Sequence, residues 1–251
     1  MFSEMGKYEP CGLFTKGHFI LFSITIISIV IALKKTYHKN KEYVYKIIKN
    51  LTLFICILEI FKILLTLKSN PLTAVNTYLP LYFCSILIYA GLMSSFGKGL
   101  VKRTGDVILS TGCLVGGIIF IIFPTTSLPM YPAFHFFSIH SFLFHGIMIY
   151  LALLLNITMY IKLDKSDVKY FSTFIGIMSL VALIINHIFD SNLMFISKNS
   201  PGTPISILYN LTNGSILFNI IMILAQMTLP FYIVYFFASK FYKNKTEFFK
   251  N

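Results

Sequence analysis

One thiol and three imidazoles stand out in two of the chain's apolar segments. Cys84 lies in LPLYFCSILIYAG (79–91), and His135, His140 and His145 lie in HFFSIHSFLFHG (135–146). Such groups are costly in lipid unless they face partners or a polar cavity, so they mark candidate functional positions. A thiol becomes a nucleophile when a neighbouring base takes its proton, and an imidazole is the usual base. Cys84 with His140 or His145 is therefore a candidate nucleophile–base pair. A cysteine in a helix also serves as an ordinary small packing residue.

Spacing narrows the choice without closing it. His140 and His145 are five residues apart, about 140° around a helix, so both cannot face Cys84 squarely. Metal ligands on one helix want a separation of about three or four residues, so no metal is expected, and nothing in the sequence calls for a cofactor. Pro80 suits the first position of a helix, which would put Cys84 one turn in, where the helix dipole has largely faded. Beyond the first turn a helix has no free N–H, so charge on a substrate oxygen would have to be met by side chains such as Tyr82 or Asn186.

The remaining polar residues at depth cluster toward one end of the spans. Glu59 and Lys62 are three apart and can pair on one helix face, either as a neutralised couple or as a relay for protons or substrate. Asn186 and His187 precede Asp190 by about one turn, as a His–carboxylate pair or a helix-end cap. Asn219 and Gln226 share a helix face and suit interhelical hydrogen bonding.

The elements that must position these groups are transmembrane helices. Hydrophobic residues make up 56% of the 251-residue chain and charged residues 12%. Apolar runs near 17–33, 47–67, 79–97, 106–123, 134–161, 170–189 and 215–239 are long enough to cross a bilayer. The expectation is an all-α, polytopic membrane protein, one domain over 1–251, with no cleavable signal peptide. The formal charge of +12 is placed asymmetrically. Five Lys fall in 34–46, three Lys or Arg in 98–105, three Lys in 162–169 and four in the C-terminal tail, against Lys7, Lys16, Lys68 and Lys198 on the other side. The positive-inside rule then places the N-terminus outside and the C-terminus in the cytoplasm. The expected partner is membrane lipid, not nucleic acid. Abundant Lys, Ile, Asn and Phe with no Trp suggest an AT-rich bacterial genome and hence a bacterial plasma membrane.

Cys11, Cys56, Cys84 and Cys113 form no C-x-x-C, so no disulfide framework or zinc ribbon is indicated. The segment 190–213 is long for this chain, and its S-P-G-T-P core (Ser200 to Pro204) interrupts any helix there. Its apolar L-M-F-I (193–196) could dip toward the membrane and lid a site. A faint echo links Glu59-Ile60-Phe61-Lys62 plus K-S-N-P (68–71) to His187-Ile188-Phe189-Asp190 plus K-N-S-P (198–201). Such a repeat would suit a small-solute transporter of three-plus-one-plus-three helices.

The segments L-P-L-Y-F-C-S (79–85), H-S-F-L-F-H-G (140–146) and N-L-M-F-I-S-K-N-S-P-G-T-P (192–204) together resemble the YwaF family of bacterial integral membrane proteins. That family is similar to an animal multi-span acyltransferase that remodels ether phospholipids. The resemblance implies a lipid acyl donor and acceptor, with Cys84 as nucleophile and His145, before Gly146, as the better match for the acyl-transfer histidine. Its bacterial members often carry His or Gln at the position of Tyr82, so this chain lacks that extra local base.

Overall fold

A computed structural model describes residues 8–70 and 72–248; Lys7, Pro71 of the K-S-N-P echo and Lys250 lie outside them. Among the described residues the chain is all helical and contains no strand. The described residues form ten α-helices: α1 (Lys16–Thr36), α2 (Lys41–Ser69), α3 (Val75–Tyr78), α4 (Ile86–Phe96), α5 (Gly99–Ser110), α6 (Gly112–Ile122), α7 (Phe136–Ile157), α8 (Val168–Phe189), α9 (Pro204–Leu211) and α10 (Ile216–Phe248). Seven stretches of described helix are long and apolar enough to cross a membrane. They match the seven expected runs, with two differences that bear on the site.

The third span is broken. Pro80 cannot donate a hydrogen bond and disfavours helix at the residue before it. Leu79 is accordingly extended (φ −74°, ψ 119°), and so is Tyr82 (φ −95°, ψ 161°). Helix resumes as a 3-10 turn, Phe83–Ser85, and runs without interruption into α4. The expectation that Pro80 opens the helix and Cys84 sits a turn inside it is thus corrected: Cys84 is in the first turn.

The fourth span is a kinked pair. α5 and α6 meet at Thr111 (φ −119°, ψ −76°), whose hydroxyl donates to Val107 O at 2.6 Å. It starts at Gly99 rather than near residue 106, so the basic stretch 98–105 is mostly helix. There Lys102 Nζ reaches both carboxylate oxygens of Asp106, at 3.1 and 3.0 Å, and Tyr160 Oη at 2.8 Å. Arg103 pairs with the buried Asp167. These pairs satisfy carboxylates that are buried within the protein.

Lipid offers no hydrophobic force to drive helices together, so close packing of small residues matters. A Cβ on Gly105 would lie 2.5 Å from Ser94 N and 2.6 Å from Ala90 O, which makes glycine obligatory where α5 folds back on α4. The two central spans are α5–α6 and α7, with 72% and 78% of their apolar windows buried, against 22% for α1, α2, α8 and α10. α1 packs on α7, α2 on α4 and α7, and α10 on α8 and α6. The helices thus surround a two-span centre, and α1 docks on the fifth span rather than completing a separate first bundle.

Candidate functional site

The register between α2 and the third span is set where Gly91 meets Thr52. A Cβ on Gly91 would fall 2.4 Å from Thr52 Oγ1, so the helices touch there. Seven residues from that contact, toward the same end of the bundle, stand Glu59 on α2 and Cys84 on the third span. Seven residues are nearly two turns and about 10 Å, so both return to the facing sides of their helices at a common level.

The α7 histidines join this level. Glu59 Oε1 lies 2.5 Å from Lys62 Nζ, and Glu59 Oε2 lies 3.6 Å from His140 Nε2. Lys62 is within electrostatic reach of Cys84, His140 and His145. Glu59, His140 and His145 are 4, 5 and 6% exposed. A charge buried so far is tolerated when paired, and the carboxylate and ammonium supply that pairing.

His145 is held in one tautomer. Its Nδ1 lies 2.6 Å from Ser141 O, an acceptor only, so Nδ1 carries the hydrogen and donates it. Nε2 is then the bare basic nitrogen; it is buried and has no hydrogen-bond partner among the described residues. The ring stacks on Phe120 of α6, with centroids 3.6 Å apart at 9°. On the same helix a Cβ at Gly117 would lie 3.0 Å from His145 O, and one at Gly116 would lie 3.3 Å from the Phe83 ring. α6 is therefore a wall shared by the Phe83–Cys84 turn and His145. No hydrogen bond joins Cys84 Sγ to either imidazole among the described residues.

The other sequence candidates are placed elsewhere or already engaged. The Tyr82 hydroxyl donates toward Asn76, 3.2 Å from its carbonyl and 3.3 Å from Oδ1, and the Tyr82 ring lies 5.1 Å from that of Phe195. Asn186 holds the 190–198 segment. Its Oδ1 accepts from Leu193 N and Ser191 Oγ, both at 2.7 Å, and its Nδ2 donates to Leu193 O at 3.1 Å and Ser197 Oγ at 2.7 Å. Asp190 caps α8 in the left-handed conformation (φ 49°) and pairs with Lys198 at 2.7 Å rather than with His187. His187 and Asp190 line a separate groove of about 320 Å³, with Leu183 and Asn219. His135 caps α7, its Nδ1 accepting from Phe137 N at 3.3 Å, and stacks on Tyr131.

The segment after α8 does fold inward. Leu193, Met194 and Ile196 are at most 1% exposed, and Gln226 Nε2 donates to Met194 O at 2.8 Å. Asn192 N donates to Asn76 Oδ1 at 2.9 Å, tying the segment to α3 beside the Cys84 turn. One buried histidine, His18, was not singled out above although it lies in the first apolar run. His18 Nδ1 accepts from Phe14 N at 3.1 Å, just before α1, so its Nε2–H donates to Ile121 O at 2.9 Å and ties α1 to α6. Among the described residues no group of three or more His, Cys, Asp or Glu is placed to hold a metal.

Seven apolar helices enclosing a thiol, two imidazoles and a carboxylate–ammonium pair define a multi-span membrane protein with a polar cluster inside its helix bundle. Residues 13–239 match the model of the TMEM164 family, and the chain belongs to that family. This corrects the resemblance to the YwaF family, whose three supporting segments all lie inside the matched region. Short apolar motifs draw on few residue types and discriminate poorly between families of membrane proteins. No curated protein and no solved structure matches the chain.

Proposed function

We propose that the protein is an intramembrane acyltransferase or acyl hydrolase acting on phospholipid, ether phospholipid included, with Cys84 as nucleophile and His145 as base. The observation that carries this reading is the tautomer of His145, whose bare, buried Nε2 stands on the same α6 wall as the Cys84 turn. Cys84 Sγ attacks an ester carbonyl carbon while its proton passes to His145 Nε2. Collapse breaks the ester C–O bond, the departing alcohol takes that proton, and a thioester remains on Cys84. A second hydroxyl, of lipid or water, then attacks with His145 again as base, and the thiol is restored. Thiol and imidazole must close the remaining gap when substrate binds, as catalytic hydrogen bonds often do. Lipid is the acyl donor, and lipid or water the acceptor; no cofactor takes part.

The basic asymmetry supports an outward-facing site near the outer leaflet, and the composition supports a bacterial plasma membrane. Replacing Cys84 by Ser should change the cell's phospholipid acyl profile and abolish a hydroxylamine-sensitive acyl adduct on the protein. An unchanged profile with no adduct in the wild type would sink the enzyme reading. The buried Glu59–Lys62–His140 group favours one alternative, a small-solute transporter, in which Cys84→Ser would be silent and Glu59→Gln would stop uptake.

A further inference from the structure

An acyl-transfer site needs donors for the oxygen that becomes negative when the carbonyl is attacked. The two side chains that the sequence offers for this, Tyr82 and Asn186, are engaged by Asn76 and by the 190–198 segment. The break at Pro80 supplies something else. Phe83–Ser85 continues directly into α4, so Phe83 and Cys84 are the first two residues of a helical segment reaching Phe96. The first N–H groups of a helix have no partner within it. Tyr82 provides no side-chain cap, and no other residue among those described accepts from the N–H of Phe83 or Cys84. His145 Nε2, in a side chain 6% exposed that packs on the same helix α6 as the Phe83 ring, is also without a partner among the described residues. The Phe83 ring and His145 thus share the wall made by Gly116, Gly117 and Phe120, and the Cys84 N–H points to its own sulfur, the atom that would carry the acyl group.

We propose that the main-chain N–H groups of Phe83 and Cys84 form an oxyanion site for an acyl carbonyl bound at Cys84. The inference rests on the reading of Cys84 as nucleophile and adds the group that stabilises its tetrahedral intermediate. As Sγ bonds to the carbonyl carbon, the C=O electron pair moves to oxygen, and the two N–H groups donate to that oxygen. When the pair returns and the alcohol leaves, the thioester carbonyl keeps the same donors. Donors fixed by helix geometry need no reorganisation at the moment of reaction, which is what makes such a site effective.

Phe83→Pro tests this directly. Position 83 is the first of its turn, where proline is favoured, and Tyr82 already has the extended backbone that a following proline requires. The variant deletes the Phe83 N–H; Phe83→Ala deletes the ring and keeps the N–H. The full-length protein in lipid vesicles would be given p-nitrophenyl decanoate, with acyl-Cys84 measured by mass. Parallel samples would receive monobromobimane, which alkylates a thiol without forming an oxyanion. Phe83→Pro should acylate on the order of 10²-fold more slowly than Phe83→Ala, while the two alkylate at similar rates. Equal acylation overturns the oxyanion site. If wild-type protein alkylates at Cys84 but never acylates there, the acyl-transfer reading fails first. Should Phe83→Pro not fold, wild-type protein acylated with ¹³C-carbonyl decanoate decides the matter. The thioester carbonyl stretch should lie lower than in the same protein after denaturation, and an unshifted band overturns the site.

Discussion

Glu59 faces two partners at once: Oε1 is 2.5 Å from Lys62 Nζ, and Oε2 is 3.6 Å from His140 Nε2. A single buried carboxylate thereby links α2 to α7. Its removal leaves the Lys62 ammonium, whose side chain is 25% exposed, without its counter-ion, at a cost below the roughly 3–5 kcal/mol of a fully buried pair, whereas removing both charges costs far less. Glu59→Gln should lower the unfolding temperature in detergent, and Glu59→Gln with Lys62→Met should restore most of it. Additive losses in the double variant would show that the pair contributes little.

His145 should control the reactivity of Cys84. A lipid-soluble electrophile should label Cys84 in the wild type, and His145→Ala should slow the labelling on the order of 10²-fold. His135→Ala should have little effect, because His135 caps α7 and stacks on Tyr131 away from the cluster. A comparable loss from His140→Ala alone would move the base by five residues and keep the mechanism. Labelling of Cys84 no faster than that of Cys56 or Cys113, whatever the histidine, would make it a packing residue.

The charge asymmetry predicts sidedness. Reporter fusions at residues 40, 101, 165 and 245 should all read cytoplasmic. An extracellular signal at 245 would reverse the orientation and put the Cys84 cluster near the inner leaflet.

Asn186 should be a structural staple of the inward-folded segment. Asn186→Ala removes four hydrogen bonds and leaves Leu193 N and O unpaired in buried surroundings, a loss of about 3 kcal/mol. Limited proteolysis should then nick the 197–203 region much faster than in the wild type. Resistance equal to the wild type would show that the buried Leu193, Met194 and Ile196 hold the segment by themselves.

The turn at Pro201-Gly202 separates a lid from a mere connection. Gly202 has φ +76°, so alanine there costs about 1–2 kcal/mol locally. Changing both residues to alanine should reduce acylation of Cys84 while leaving the amount of folded protein in the membrane unchanged. Loss of folded protein would mark the turn as structural and remove the lid.

Seven spans, the helical class and the gathering of Glu59, Lys62, Cys84, His140 and Asn186 toward one end were legible in the sequence alone. Hydropathy is a local sum, and a span needs only its own residues to satisfy its backbone in lipid. Alternating direction then assigns each polar residue to one end or the other. The chain could not reveal how those residues pair, because the decisive contacts are long range. His140 meets Glu59 across 81 positions, and Asn192 meets Asn76 across 116. The tertiary structure also placed Cys84 in the first turn of its helix rather than one turn beyond. Pro80 by itself accounts for the extended Leu79 but is equally compatible with a helix that starts at residue 80, and the extended Tyr82 that delays the start to Phe83 was visible only in the structure. Neighbours likewise decided which donors remain free: Asn186 is engaged by a segment folded back from the end of its own helix, and His145 Nε2 is left bare because Ser141 O takes the proton on the other side of the ring.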